Sequence, residues 1–248
     1  MSKVMVITGA GRGIGAATAR MAAQRGYAVC VNYRADRSAA DALTTDIIRA
    51  GGKAIAVAAD IALESDVDRL FRSVDRELGA PDALVNNAGV LETQMRVEAM
   101  SAERIARIFA TNVIGSMLCA REAIRRMSTQ HGGRGGAIVN VSSMAARLGG
   151  PNEYVDYAAS KGAIDTFTVG LSKEVAGAGI RVNAVRPGLI YTDMHASGGE
   201  PGRIERLKHA VPMQRGGQPE EVAAAILWLL SDEAAYTTGT FIDVSGGR

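Results

Sequence analysis

Short, continuously apolar runs recur along this chain, each separated from the next by a longer stretch with helical spacing. No other feature narrows its folding options as much. The runs fall at 4–8, 28–32, 54–58, 83–86, 137–141, 181–185 and 240–244, and most are rich in Val and Ile. They do not alternate between apolar and polar residues. That pattern predicts strands covered on both faces, as in a parallel sheet. Between them lie amphipathic segments. Val222, Ile226 and Leu229 share one helical face, behind a start signal of Pro219 with Glu220 and Glu221 in the first turn. Repeated strand–helix–strand units predict an α/β doubly wound sheet. At 248 residues the chain is ordinary for a single domain of this class and can bury most of its apolar surface. The glycine-rich stretch 131–136 (HGGRGG) is expected to be a turn before a strand, and 192–217, with five Gly and no strand pattern, a mobile lid.

The charge balance excludes some partners. There are 28 basic and 26 acidic residues, for a formal charge of +2. So even a balance gives no electrostatic case for nucleic acid or an anionic membrane. No apolar run is long enough to span a bilayer, and no cleavage site follows the first strand, so a cytoplasmic protein is expected. Cys30 and Cys119 lie in apolar surroundings and read as buried, reduced thiols. His131, His195 and His209 are too scattered for a metal site; His195 is expected to face solvent, with contact to substrate the alternative. Met194, Met213 and Leu148 could line an apolar pocket or simply pack in the core or lid.

The first apolar run leads straight into TGAGRGIG at Thr8–Gly15, which opens a helix. Gly9, Gly11, Gly13 and Gly15 remove side chains, so the backbone can turn sharply and come close to a ligand. The start of the helix offers free N–H groups and a partial positive charge, which suit a phosphate. The strict spacing G-x-G-x-x-G fails from Gly9, where its last place is Ile14; from Gly11 it ends acceptably in Ala16. A site for NAD wants an acid at the end of the second strand to hold the ribose 2′-hydroxyl. Here Asn32, Tyr33 and Arg34 stand there instead. Arg34 and Arg12 could grip a 2′-phosphate through charge-assisted bonds, so NADP(H) is the expected cofactor. Asp36 keeps NAD(H) possible if the loop folds back.

Tyr157 and Lys161 (YAASK) stand four apart and share a helical face. A phenol titrates near ~10 and is a poor base at neutral pH, but a nearby ammonium lowers that value. The pair is therefore a candidate for general acid–base work.

Taken together these motifs resemble the short-chain dehydrogenase/reductase family over essentially the whole chain. The glycine turn Thr8–Gly15, NNAG at Asn86–Gly89, Ser143 ahead of the Tyr157–Lys161 pair, Pro187–Gly188 followed by Thr192, and the run TGTFIDVSGG come in the family's order. The resemblance implies one Rossmann-like domain with strand order 3-2-1-4-5-6-7. It implies that Tyr157 gives or takes the proton as a carbonyl is reduced or an alcohol oxidised. Lys161 would bind the nicotinamide ribose and depress the Tyr157 pKa, and Ser143 would hold the substrate oxygen. Asn112, in the TNVIG stretch, would help hold a water-linked proton relay to Lys161. The turn residues Gly9, Gly11, Arg12, Gly13, Ile14 and Gly15, with Arg34, would bind the cofactor. So would Asp60 and Ile61 beside the adenine, and Asn86, Ala88 and Gly89 near the adenosine. Pro187, Gly188, Ile190 and Thr192 would hold the nicotinamide and its phosphate. Family members are mostly tetramers or dimers, so a homotetramer or dimer is expected.

One departure leaves a question open. Ser143 precedes Tyr157 by fourteen residues, one more than the family's usual spacing. Adjacent side chains at an extended strand end point to opposite faces, so only one of Ser142 and Ser143 can serve. An insertion within 148–154 keeps Ser143 the choice and Ser142 the alternative. A Ser hydrolase is disfavoured because the Gly-x-Ser-x-Gly elbow is absent. Three readings follow: a 3-oxoacyl thioester reductase, a sugar dehydrogenase of the glucose type, or an NADP(H)-sensing protein without turnover. The substrate itself is set by the loops at 93–95, 145–154 and 192–217, where members of one fold diverge.

Overall fold

The structure is a computed structural model that describes residues 2–248. All seven expected strands form: β1 (Val4–Ile7), β2 (Ala28–Tyr33), β3 (Lys53–Ala58), β4 (Ala83–Asn86), β5 (Gly136–Val141), β6 (Ile180–Pro187) and β7 (Phe241–Val244). They make one parallel sheet in the order β3-β2-β1-β4-β5-β6-β7. The family-like Rossmann topology is therefore present as expected.

The helices are α1 (Gly13–Gln24), α2 (Arg37–Arg49), α3 (Glu64–Glu77), α4 (Ala102–Phe109), α5 (Ser116–Met127), α6 (Ala145–Leu148), α7 (Val155–Val175), α8 (Met194–Ser197), α9 (Arg203–Leu207) and α10 (Pro219–Leu230). The start of α10 is as read from sequence: Pro219 leads, and the Glu221 carboxylate accepts the Gln218 N–H at 2.7 Å. The stretch 131–136 forms the expected turn into β5. Within 192–217 there are only the short helices α8 and α9 and a single-turn helix at Lys208–Ala210.

Both faces of the sheet are covered, which explains the unbroken apolar runs. Met5 and Ile7 pack with Ala16 and Ala19 of α1, Leu43 and Ile47 of α2, and Ile226 of α10. Their neighbours Val4 and Val6 belong to the opposite layer, with Phe71 of α3, Cys119 and Ala123 of α5, and Leu171 of α7. Each residue alternates sides and each side is core, so a polar residue mid-strand needs a buried partner, as Asn183 of β6 has in the Thr237 carbonyl at 2.8 Å. Cys30 and Cys119 are both free and fully buried, and burial pushes each thiol pKa up. No helix among the described residues is long and apolar enough to cross a membrane.

The chain starts in the middle of the sheet. From β1 it winds outward to β3, then returns to β4 on the other side. The loops after β1 and β4 must diverge there, which leaves a crevice at the carboxyl ends of the strands.

Candidate active site

The glycine turn sits in that crevice and is fastened from two sides. Asn32 at the end of β2 accepts the Gly9 N–H on its Oδ1 at 3.2 Å. From the β4 side, Asn87 donates from Nδ2 to the carbonyls of Thr8 and Gly9 at 2.9 and 3.0 Å. Thr8 accepts the Asn87 and Ala88 N–H groups on Oγ1, both at 3.0 Å. Three glycines are required by geometry. Gly9 has φ +61°, and a Cβ there would stand 2.9 Å from Ala88 Cα. Gly13 has φ +54° and faces Thr192, whose Cγ2 would be 3.1 Å from an added Cβ. At Gly15 an added Cβ would stand 2.7 Å from Gly9 O. Gly11 completes the turn, and Arg12 is the residue before α1 with no side-chain cap on the helix. The first N–H groups of α1 are thus left for a ligand, so a cofactor diphosphate fits this cradle.

The carboxyl ends of β5 and β6 supply the rest. Their residues close a cavity of about 460 Å³ whose walls include Ile14, Ser143, Tyr157, Lys161, Pro187 and Thr192. Gly188 and Ile190 line it too. The two serines separate as strand alternation requires. Ser142 is buried and donates to the Asp165 carboxylate at 2.6 Å. Ser143 faces the cavity, where its hydroxyl interacts with that of Tyr157.

Tyr157 and Lys161 both lie on the first two turns of α7 and are almost fully buried. Burial pushes the Tyr157 phenol up to about 12, with the Ser143 hydroxyl pulling the other way. The Lys161 Nζ stands 5.6 Å from the Tyr157 ring centre and donates to the Val141 carbonyl at 2.8 Å. Burial also brings the Lys161 ammonium down to about 8, opposed by the Asp165 charge. In both groups burial is the larger cause, because it disfavours whichever form is charged.

Asn112 lies in a π-helical turn, Ala110–Gly115, between α4 and α5. Such turns are rare and often mark functional positions. Its side chain accepts the Val90 N–H at 2.8 Å and donates to Val90 O at 3.1 Å and Ser160 Oγ at 3.0 Å. Gly89 lies beside it: a Cβ there would be 3.5 Å from both Asn112 Oδ1 and Lys161 Nζ.

Other expected positions need correction. Asn86 does not reach the crevice; its Nδ2 donates to Ser116 O at 3.1 Å and Asn140 Oδ1 at 2.9 Å, inside the core. The next residue, Asn87, lines the cavity instead. The doublet NNAG carried that signal, because strand alternation sends one Asn inward and the other toward the ligand side. Ile61 is core as well, packed where a Cβ on Gly115 would be 2.7 Å from it. Asp60 is half-buried, accepting the Ala62 N–H at 3.0 Å. His195 does not face solvent: it lines the cavity, its Nδ1 is buried without a partner, and burial lowers its pKa. His209, the other histidine of 192–217, lies outside the cavity, and nothing in the sequence separates the two.

At the second strand, Arg34 is exposed, and the Asp36 carboxylate caps α2 by accepting the Ala39 N–H at 2.9 Å. Arg12 lies 3.9 Å from the Asp193 carboxylate across the crevice. The segment 192–217 is tied to the loop before α7. Arg203 bonds Glu153 at 2.5 Å and Glu200 at 3.1 Å, and Tyr154 donates to Gly198 O at 3.1 Å.

Comparison with known proteins agrees with this geometry. The family model described as enoyl-(acyl carrier protein) reductase matches residues 9–248. The uncharacterized oxidoreductase YgfF of Escherichia coli (strain K12) is 60% identical over 245 residues, covering 99% of each chain. Glucose 1-dehydrogenase 2 of Bacillus subtilis (strain 168) is 37% identical over 246 residues, covering 99% of this chain and 94% of that one. A crystal structure of 3-ketoacyl-(acyl-carrier-protein) reductase from Brucella melitensis, complexed with NADH, superposes with a TM-score of 0.91 at 35% identity, covering 99% and 98%.

Proposed function

The chain belongs to the short-chain dehydrogenase/reductase family of oxidoreductases, and we propose that it moves a hydride between NADP(H) and a carbonyl or secondary alcohol, with Tyr157 handling the matching proton. The observation that carries this reading is one cavity holding Ser143, Tyr157 and Lys161 against the glycine turn of α1. The nicotinamide, when bound, supplies or accepts the hydride. Tyr157, kept neutral by burial, gives its hydroxyl proton to the carbonyl oxygen during reduction. Ser143 donates to the same oxygen, where charge grows in the transition state. Lys161 holds the ribose hydroxyls, and Asn112 fixes the turn beside it.

Cofactor choice follows from the second strand. Asp36 is engaged as the cap of α2, while Arg34 is exposed at the ribose end. That favours a 2′-phosphate and hence NADP(H), with Arg12 as a second contact. Asn87, the glycine turn and Pro187–Thr192 complete the cofactor site. Asp60 stands beside the adenine.

The substrate side favours a ketone with an apolar body. Beyond Ser143 and Tyr157 the walls are Leu91, Met144, Leu148, Tyr154, Met194 and Leu207. Glu153 and Arg203 neutralise each other, which leaves His195 and Arg248 as the free polar groups on an otherwise apolar wall. This makes an oxoacyl-type substrate the first choice and a sugar the second. The segment 192–217 acts as the lid over this space, and the protein works in the cytoplasm. A panel of ketones and alcohols followed by NADPH absorbance tests the reading. Turnover of apolar ketones supports it. Tight NADPH binding with no turnover across the panel favours a sensing protein instead.

A further inference from the structure

Lys161 is only 3% exposed, and a buried ammonium needs compensation. The groups around it come from four places. Tyr157 and Asp165 lie on its own helix, the Val141 carbonyl and Ser142 at the end of β5, Gly89 after β4, and Asn112 in the π turn. Tyr157, Ser142 and Asn112 are neutral at neutral pH. Of these groups only Asp165, one helical turn beyond Lys161, carries a negative charge.

Asp165 does not float. Its Oδ1 accepts the Ser142 hydroxyl at 2.6 Å and its Oδ2 accepts Arg186 Nε at 2.9 Å. Arg186 stacks 3.9 Å over the Phe241 ring and reaches Asp243 at 3.4 Å, and Asp243 in turn accepts from Arg147 at 2.8 Å. Charges therefore alternate from Lys161 through Asp165, Arg186 and Asp243 to Arg147. The chain crosses α7, β6, β7 and α6 directly beneath the reacting residues.

We propose that Asp165 is a positioning residue for this site: its carboxylate supplies the counter-charge that keeps buried Lys161 an ammonium, and its hold on Ser142 turns Ser143 toward Tyr157. The proposal rests on the roles of Lys161 and Ser143 given above. It goes beyond them in placing the control of Lys161 in a residue that touches neither substrate nor cofactor. Burial alone takes the ammonium down, and the Asp165 charge opposes this.

The sign follows directly. Lys161 holds the ribose hydroxyls most strongly as an ammonium, through charge-assisted bonds that weaken when it becomes a neutral amine, so cofactor binding and turnover fall as pH rises through its pKa. Removing the Asp165 charge lowers that pKa and moves the fall to lower pH. Asp165→Asn is close in shape and retains an acceptor for Ser142. Arg186→Met removes the cation that offsets Asp165 while retaining an apolar stem on Phe241, and moves the fall upward.

The experiment follows NADPH binding by fluorescence titration, and kcat/KM for the best ketone of the panel, from pH 6 to pH 10. Wild type, Asp165→Asn, Asp165→Glu and Arg186→Met are compared, each checked by thermal melting. The proposal expects the alkaline fall of Asp165→Asn about one pH unit below wild type, in binding and in turnover alike. Asp165→Glu should return toward wild type, and Arg186→Met should not move downward. An Asp165→Asn profile with the wild-type midpoint, lowered only in height, overturns the proposal and leaves Asp165 a structural tie. Wild-type NADPH binding that is flat across this range instead overturns the role of Lys161 itself.

Discussion

Ser142 and Ser143 are adjacent, and their substitutions should part widely. Ser143→Ala removes a donor to the substrate oxygen and should cost on the order of a hundredfold in kcat. Ser142→Ala breaks a buried bond to Asp165, so its main effect should be a lower Tm, with kcat within about tenfold of wild type. A large kcat loss confined to Ser142→Ala contradicts the assignment. That one serine turns to Tyr157 and the other to Asp165 was legible, because adjacent side chains at a strand end point to opposite faces. The same rule applied to Asn86 and Asn87 would have put the ligand-facing amide at Asn87. The opposite shifts of Tyr157 and Lys161 were not legible. They depend on how completely each side chain leaves water, and spacing along a helix does not carry that.

At the scale of elements, the strands were legible almost to the residue because both faces of the sheet are core. The turn after β2 was legible only in part: the missing acid was visible, the commitment of Asp36 to capping α2 was not. That turn carries a prediction. Arg34→Ala should raise KM for NADPH by about tenfold or more and leave KM for NADH nearly unchanged, since a charge-assisted contact is worth ~1.5–3 kcal/mol. A wild-type kcat/KM with NADH equal to or above that with NADPH contradicts the cofactor choice. The segment 192–217 is the least legible part, because its course is set by long-range pairs such as Arg203 with Glu153. Glu153→Gln weakens that tie at the edge of the pocket. Substrate KM should rise severalfold with kcat little changed, and an unaltered KM would remove the lid role of this pair.

For the whole molecule, the crevice at the carboxyl ends of β1 and β4 follows from strand order alone, and the chemistry follows from what β5, α7 and β6 bring to it. Assembly is the remaining global property. Ile105, Ile114, Met117 and Val169 are exposed on α4, the π turn, α5 and α7, and a Cβ on Gly162 of α7 would meet open space. These faces support a homotetramer or dimer. Sedimentation should show two or four times 25.9 kDa, and a single species of 25.9 kDa would remove the claim. The measurement that bears most directly on the central claim pairs turnover with cofactor binding in Tyr157→Phe. Ketone reduction should fall by about a hundredfold to ten-thousandfold, as expected when a general acid is lost, while NADPH binds as tightly as in wild type. A Tyr157→Phe enzyme that keeps most of its ketone reductase activity contradicts the account.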